Sequence, residues 1–207
     1  MGMEAGRDNI RCIKLDASKA NIRCMKLDAR KKLTPDEICS KSAAICSKLL
    51  ALWDFEQAGL VMAYMDFRNE VSTGDFIRES IRRGKRLALP VVANAGGRAR
   101  ELLAYEISSI DGDLKEGAYG IYEPDPGKTK KADTAEIDFI VVPCVAFDTS
   151  KFRVGYGAGY YDRFMKKLRP GCTRIGLAFD LQLADKIPAE THDVALDMII
   201  TENRIIT

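Results

Sequence analysis

Phe147-Asp148-Thr149-Ser150-Lys151-Phe152-Arg153-Val154-Gly155-Tyr156-Gly157-Ala158-Gly159-Tyr160-Tyr161-Asp162-Arg163 decides the fold class of this 207-residue chain. It follows the apolar run 137–142, which reads as a buried strand, and leads into a helical segment over residues 160–168. Strand, glycine-rich turn and helix in succession are how α/β proteins bring backbone N–H groups up to a phosphate. Glycine permits positive φ and lets a ligand approach where a Cβ would stand. Asp162, just past the glycines, is placed to hold a divalent cation beside that phosphate. The stretch therefore points to a nucleotide–metal site at a βα turn.

The rest of the chain alternates in the same way. Residues 60–65, 87–92, 102–107, 137–142, 174–179 and 198–201 read as short strands, with Pro90 weakening the end of its own. Thr34-Pro35-Asp36-Glu37 is a helix start, with Thr34 as cap, Pro35 at the first helical position and Glu37 completing a capping box. Ile38, Ile45, Cys46, Leu49 and Leu50 then share one helical face. Residues 72–83 read as a helix stopped by Gly84, and 111–133 as loop. Strands alternating with helices predict an α/β fold, a three-layer αβα arrangement around a mostly parallel sheet. Ligands gather at the carboxyl ends of such strands.

At this length one sizeable core is expected, a single domain over 19–207 preceded by an extension over 1–18. That extension carries a duplication: Asn9-Ile10-Arg11-Cys12-Ile13-Lys14-Leu15-Asp16-Ala17 recurs as Asn21-Ile22-Arg23-Cys24-Met25-Lys26-Leu27-Asp28-Ala29. Two copies make no solenoid, and the second copy runs straight into the folded body. A net charge of +2 gives no pull toward nucleic acid or a membrane surface. Arg30-Lys31-Lys32 and residues 128–131, the only basic runs, read as solvated faces. No run is long enough to span a bilayer, and charges interrupt the N-terminus throughout, so a cytoplasmic protein is expected. The six cysteines show no CxxC pair and no metal spacing with His192, the single histidine, which fits reduced, buried thiols.

On spacing alone the glycine turn is open to two readings, a tight structural turn or a phosphate cradle. No Gly-Lys-Ser/Thr follows, and GxGxG is not the dinucleotide fingerprint. Arg153 and Arg163 can pair with phosphate oxygens, and Tyr156, Tyr160 and Tyr161 offer stacking faces and hydroxyls.

With these flanks the stretch 153–163 resembles the signature of the 5-formyltetrahydrofolate cyclo-ligase (methenyltetrahydrofolate synthetase) family. The resemblance continues through Phe147-Asp148, Arg174-Ile175-Gly176-Leu177-Ala178-Phe179, Ile187-Pro188-Ala189-Glu190-Thr191-His192-Asp193 and Leu196-Asp197-Met198-Ile199-Ile200-Thr201-Glu202. Upstream, Asn69-Glu70-Val71-Ser72-Thr73 is similar to the family's Gly-Glu-Val-Asp-Thr, and Lys19-Ala20-Asn21-Ile22-Arg23 to its N-terminal Lys-x-x-x-Arg. The match covers nearly all the chain from Lys19 onward.

The resemblance implies a fold like the sugar-phosphate isomerase and CoA-transferase group. It also implies an enzyme of one-carbon metabolism, a magnesium-dependent ligase acting on 5-formyltetrahydrofolate and ATP as a monomer or weak dimer. ATP would phosphorylate the formyl oxygen, N10 would attack the activated carbon, and 5,10-methenyltetrahydrofolate, ADP and phosphate would result. By resemblance Lys19, Arg23 and the run Arg153, Val154, Gly155, Tyr156, Gly157, Ala158, Gly159, Tyr160 and Tyr161 would bind ATP. Met65, Glu70, Tyr156, Gly157, Ala158, Gly159 and Tyr160 would border the folate. Asp162 and Asp197 would hold Mg2+, and Arg153, Tyr160 and Asp162 would be catalytic. Glu123 falls where relatives carry a Glu-Pro pair near the site. Ala158 and Asn69 depart from the family pattern; asparagine tolerates left-handed backbone better than most residues. Two rivals are a sugar-phosphate isomerase, which needs a positioned acid/base pair, and a non-catalytic nucleotide- or RNA-binding relative, which needs a larger basic patch.

Overall fold

A computed structural model describes residues 18–93, 101–117 and 120–207. The first repeat copy, with Arg11, lies outside the described residues. Ser18 caps the first helix, α1 (Lys19–Arg30), its side chain accepting from the Asn21 N–H. Helix α2 (Pro35–Leu50) opens on the predicted capping box, with Thr34 and Glu37 satisfying each other's backbone donors. The short α3 (Trp53–Gln57) precedes β1 (Leu60–Met62), and α4 (Gly74–Arg82) carries the chain to β2 (Arg86–Ala93). The antiparallel β3 (Glu101–Ile107) follows.

The stretch 111–133, expected as loop, is more ordered than its Gly, Pro and charge content predicts. It holds most of α5 (Ile110–Asp113), the hairpin strands β4 (Leu114–Glu116) and β5 (Tyr122–Pro124), and β6 (Lys130–Lys131). Then come β7 (Phe139–Pro143), the small hairpin of β8 (Ala146–Phe147) and β9 (Arg153–Val154), α6 (Tyr160–Met165), β10 (Thr173–Leu177), β11 (Met198–Ile200) and β12 (Ile205–Ile206).

The main sheet runs β12-β11-β10-β7-β1-β2-β3-β6. Its five central strands, from β11 to β2, are parallel, and β12, β3 and β6 join antiparallel at the edges. Pro90 does not end its strand. It pairs with Ala104 of β3, two residues beyond the last β1–β2 partner, Ala88, so its missing N–H faces an edge that β1 has already left.

Alternation along the strands divides the core in two. Val61, Leu87, Phe139, Val141 and Ile175 pack with Ile45, Leu49, Phe55, Phe76 and Ile77 of α2, α3 and α4. Leu60, Met62, Ile140, Val142 and Ile199 pack on the other face with Phe164 and Met165 of α6. Burial on both faces is why these strands read as continuous apolar runs. From β1 the chain goes to β2 on one side and later to β7 on the other. The order of strands thus reverses between β1 and β7, and their carboxyl ends flank the crevice where such sheets bind ligands. Among the described residues no helix is long and apolar enough to cross a membrane.

Candidate active site

That crevice holds two adjoining chambers, of about 430 and 410 Å³. The first is the more polar, lined by Lys19, Arg23, Arg153, the glycine-rich turn, Asp162, Glu190 and Asp193. The second is largely apolar, lined by Met65, Phe67, Pro90, Val92 and Leu102, with Glu123 beside them. Glu70, Pro143, Tyr156, Ala158 and Tyr160 face both.

Each wall has a local cause. Lys19 and Arg23 are one turn apart on α1, hence on one face. Arg23 Nε donates to the Gly155 carbonyl at 2.7 Å, and Lys19 Nζ to Asp193 at 2.5 Å. Burial lowers the Arg23 pKa from its ordinary value. Asp148, 2% exposed, accepts from the Phe152 and Ile187 N–H groups at 3.0 and 2.9 Å, which folds residues 148–152 back and aims β9 at the cleft. The turn beyond β9 needs its glycines, because Gly157 and Gly159 take φ of 106° and 65°. Arg163 Nη1 donates to the Ala158 carbonyl at 2.9 Å, so it braces the turn from outside the cleft lining.

Arg153 is buried behind the turn. Its Nη2 lies 3.2 Å from Asp162 Oδ1, an ion pair without hydrogen-bond alignment, and its Nε has no hydrogen-bond partner among the described residues. Asp162 also accepts weakly from the Val194 N–H, at 3.4 Å.

On the apolar side, the chain after β1 turns through Arg68 and Asn69, both left-handed at φ 48° and 59°. Asn69 therefore supplies the conformation expected of it. The Asp66 carboxylate accepts from the Thr73 N–H, and Glu70 accepts from the Phe67 N–H, closing this turn on itself. Glu70 is 5% exposed. Burial pushes its carboxyl up to about 7, against the opposing pull of Arg30 and the Phe67 N–H. Burial also raises the Glu123 carboxyl, which the Val92 N–H and Lys115 pull the other way.

The structure thus brings together every predicted nucleotide and substrate residue along one cleft. Asp197 is the exception. It sits at the amino edge of β11, 51% exposed in its side chain, accepts from the Arg174 N–H at 2.8 Å, and does not line the cleft. A residue preceding a parallel strand lies at the edge away from the carboxyl ends, which is why Asp197 and Asp162 do not meet as a pair there. Among the described residues no group of three or more His, Cys, Asp and Glu is placed to hold a metal ion. A dication arriving on phosphate oxygens needs only one or two carboxylates, and Asp162 fits that requirement.

Sequence reasoning missed Arg30. It is 1% exposed, and its Nη2 donates to the Arg68 carbonyl and the Tyr156 hydroxyl. The available signal was its place on the Lys19–Arg23 face of α1, seven residues after Arg23.

Comparison with known proteins places the chain in a family. A model of the 5-formyltetrahydrofolate cyclo-ligase family matches residues 15–202. The 5-formyltetrahydrofolate cyclo-ligase of Escherichia coli (strain K12) is 28% identical over 177 residues, 85% of this chain and 96% of that protein. The Mycolicibacterium smegmatis protein of the same name is 34% identical over 144 residues, 70% of this chain and 74% of that one. The NMR structure of Aquifex aeolicus 5,10-methenyltetrahydrofolate synthetase superposes with a TM-score of 0.79 at 30% identity, covering 90% of this chain and 91% of that chain. With a family model matching almost its whole length and a fold shared with a solved methenyltetrahydrofolate synthetase, this chain belongs to the 5-formyltetrahydrofolate cyclo-ligase family.

Proposed function

We propose that this protein closes 5-formyltetrahydrofolate to 5,10-methenyltetrahydrofolate at the expense of ATP, releasing ADP and phosphate through a phosphorylated formyl group. One observation carries the reading: a chamber that gathers Lys19, Arg23 and Arg153 and an apolar chamber meet at the glycine-rich turn, with Glu70, Tyr156 and Tyr160 facing both. A triphosphate and a pterin need those two environments side by side.

The chemistry divides accordingly. An amide-like formyl oxygen is a poor leaving group. Once it attacks the γ-phosphorus and ADP departs, it becomes part of a good one. N10 then attacks the formyl carbon, loses its proton, and the C–O bond breaks with release of phosphate. Phosphoryl transfer asks the protein for in-line placement and charge neutralisation rather than covalent help. Lys19, Arg23 and Arg153 supply the positive charge, and Arg153 has unsatisfied donors ready for phosphate oxygens. The Gly155 to Gly159 backbone, free of side chains at alternate positions, lets the nucleotide lie close. Asp162 would hold Mg2+, which when bound neutralises phosphate charge. Glu70 accepts paired N–H bonds from the pterin, Met65 packs on its ring, and Tyr160 keeps the formyl group against the turn.

The test is direct. Folded protein mixed with 5-formyltetrahydrofolate, ATP and magnesium should generate the near-ultraviolet absorbance of the methenyl product. Absence of any ATP-dependent signal ends the cyclo-ligase reading.

A further inference from the structure

Arg30 has no part in the roles assigned above, yet its surroundings are those of a functional group. It closes α1, while its neighbours Lys31 and Lys32 are exposed. Taking a guanidinium out of water is costly unless its five donors find acceptors. Nη2 donates to the Arg68 carbonyl at 3.0 Å and to the Tyr156 hydroxyl at 2.5 Å. Nη1 is buried with no hydrogen-bond partner among the described residues. A side chain kept for packing alone would be better served by leucine or methionine.

The acceptors show what the cation restrains. The Arg68 carbonyl belongs to the left-handed pair Arg68 and Asn69, a conformation non-glycine residues hold only when their surroundings impose it. That pair aims Glu70 at the cleft. Tyr156 lies at the crest of the glycine-rich turn, with the Arg30 guanidinium 5.8 Å from its ring centroid, and its hydroxyl interacts with the Glu70 carboxylate. One buried cation on the nucleotide-side helix therefore reaches both the glycine-rich turn and the folate-side turn.

We propose that Arg30 is a positioning residue: through Tyr156 and the Arg68 carbonyl it fixes Glu70 in register with the glycine-rich turn. The inference rests on the folate reading of the Glu70 chamber.

The ionisation of Glu70 answers to several groups. Arg30 faces it from α1, Asp66 and the Phe67 N–H from its own turn, Tyr64 from beyond β1, Cys144 from beyond β7, and Tyr156 and Tyr161 from the glycine-rich turn and α6. Burial opposes the charge most and Asp66 adds to that opposition. Arg30 is the largest contribution in its favour, followed by the Phe67 N–H and Tyr156. Removing Arg30 must raise the Glu70 midpoint further, so a step that needs the carboxylate loses its acid limb at a higher pH.

The experiment compares wild type with Arg30→Met, Arg30→Lys and Tyr156→Phe in two measurements. The first is carboxyl-carbon NMR of glutamate-labelled protein without ligands, with Glu70→Gln assigning the resonance. The second is steady-state kinetics against each substrate from acid to alkaline pH. In Arg30→Met the Glu70 midpoint should rise, the acid limb of kcat/KM for 5-formyltetrahydrofolate should follow it, and folate KM should increase about tenfold, the usual effect of losing a bond to a charged group. KM for ATP should move less. Arg30→Lys keeps the charge but not the planar fork, so its midpoint stays near wild type while folate KM remains raised. Tyr156→Phe, at a half-exposed site where folding is not at risk, should raise the midpoint by a smaller amount. Identical Glu70 midpoints in wild type, Arg30→Met and Tyr156→Phe would overturn the proposal, as would a mere loss of thermal stability with both KM values and the pH profile unchanged. If wild type itself turns nothing over, the cyclo-ligase reading fails, and the NMR titration still decides the link between Arg30 and Glu70.

Discussion

In the proposed folate role, Glu70 would set ligand recognition against stability. Its carboxyl titrates at about 7 in the folded chain instead of the ordinary 4.5, mainly through burial. Between those values the folded state holds more protons than the unfolded state, so stability falls as pH rises through the window and is level above it. Glu70→Gln removes that dependence. The ligand-free variant should be more stable than wild type at pH 8, by at most about 3 kcal/mol, because each pH unit between the two midpoints is worth about 1.4 kcal/mol. It should also lose folate turnover. Urea melts at pH 5 and pH 8 check this, and equal differences at the two values would mean that Glu70 is not held in its neutral form. Asp162 gives the complementary case. Asp162→Asn keeps an acceptor for the Val194 N–H but removes the charge facing the cleft and the counter-ion of the buried Arg153, so turnover should fall about 100-fold or more and the melting temperature should fall as well. An unaltered rate would exclude Asp162 from the phosphate site. Lys19, Arg23 and Glu70 were legible only through the family resemblance, and spacing alone left the glycines open to two readings. Arg30 was passed over because it was read with Lys31 and Lys32 as one solvated run, although its place on the Lys19–Arg23 face set it apart from them. Asp197 misled for a related reason: a motif position does not state which end of a strand it occupies.

At the level of elements, α1 joins the N-terminal segment to the site. Its cap is Ser18, and its inward face runs through Lys19, Arg23 and Arg30. A chain lacking residues 1–17 keeps this cap and all of that face. Its KM for ATP should therefore match the full-length value, and a large increase would show that the first repeat copy takes part in binding. The capping box at α2 is separable from the site, and Thr34→Ala should cost about 1 kcal/mol in urea melts with kinetics unchanged. Helix α2 could be read because caps and 3.6-residue periodicity are local signals. The β2–β3 pairing could not, since apolar alternation is the same whether the neighbour runs parallel or antiparallel. The β4–β5 hairpin was hidden by the Gly, Pro and charged residues around it, which mark turns without excluding short strands between them.

For the whole molecule, a sheet buried on both faces holds the cleft walls, and Gly176 shows how tightly. It lies in β10 between Val142 and Ile199, and a Cβ there would come within 2.6 Å of Leu196 Cδ1 and 2.9 Å of Cys144 Sγ. Both are side-chain tips, so relief comes from rotation rather than from moving β7 or β10, which are ladder-bonded on both sides. Gly176→Ala should therefore lose about 1–3 kcal/mol of stability, the usual result of overpacking. A chain of this size then melts lower by roughly 2–4 °C per kcal/mol. Because the strands stay in place, Pro143 and the glycine-rich turn keep their positions. ATP and 5-formyltetrahydrofolate together should then raise the melting temperature of the variant by as much as they raise that of wild type. A variant that melts lower and also loses the ligand-induced shift would mean that strain at the centre of the sheet reaches the cleft, and that the layers and the site are one mechanical unit.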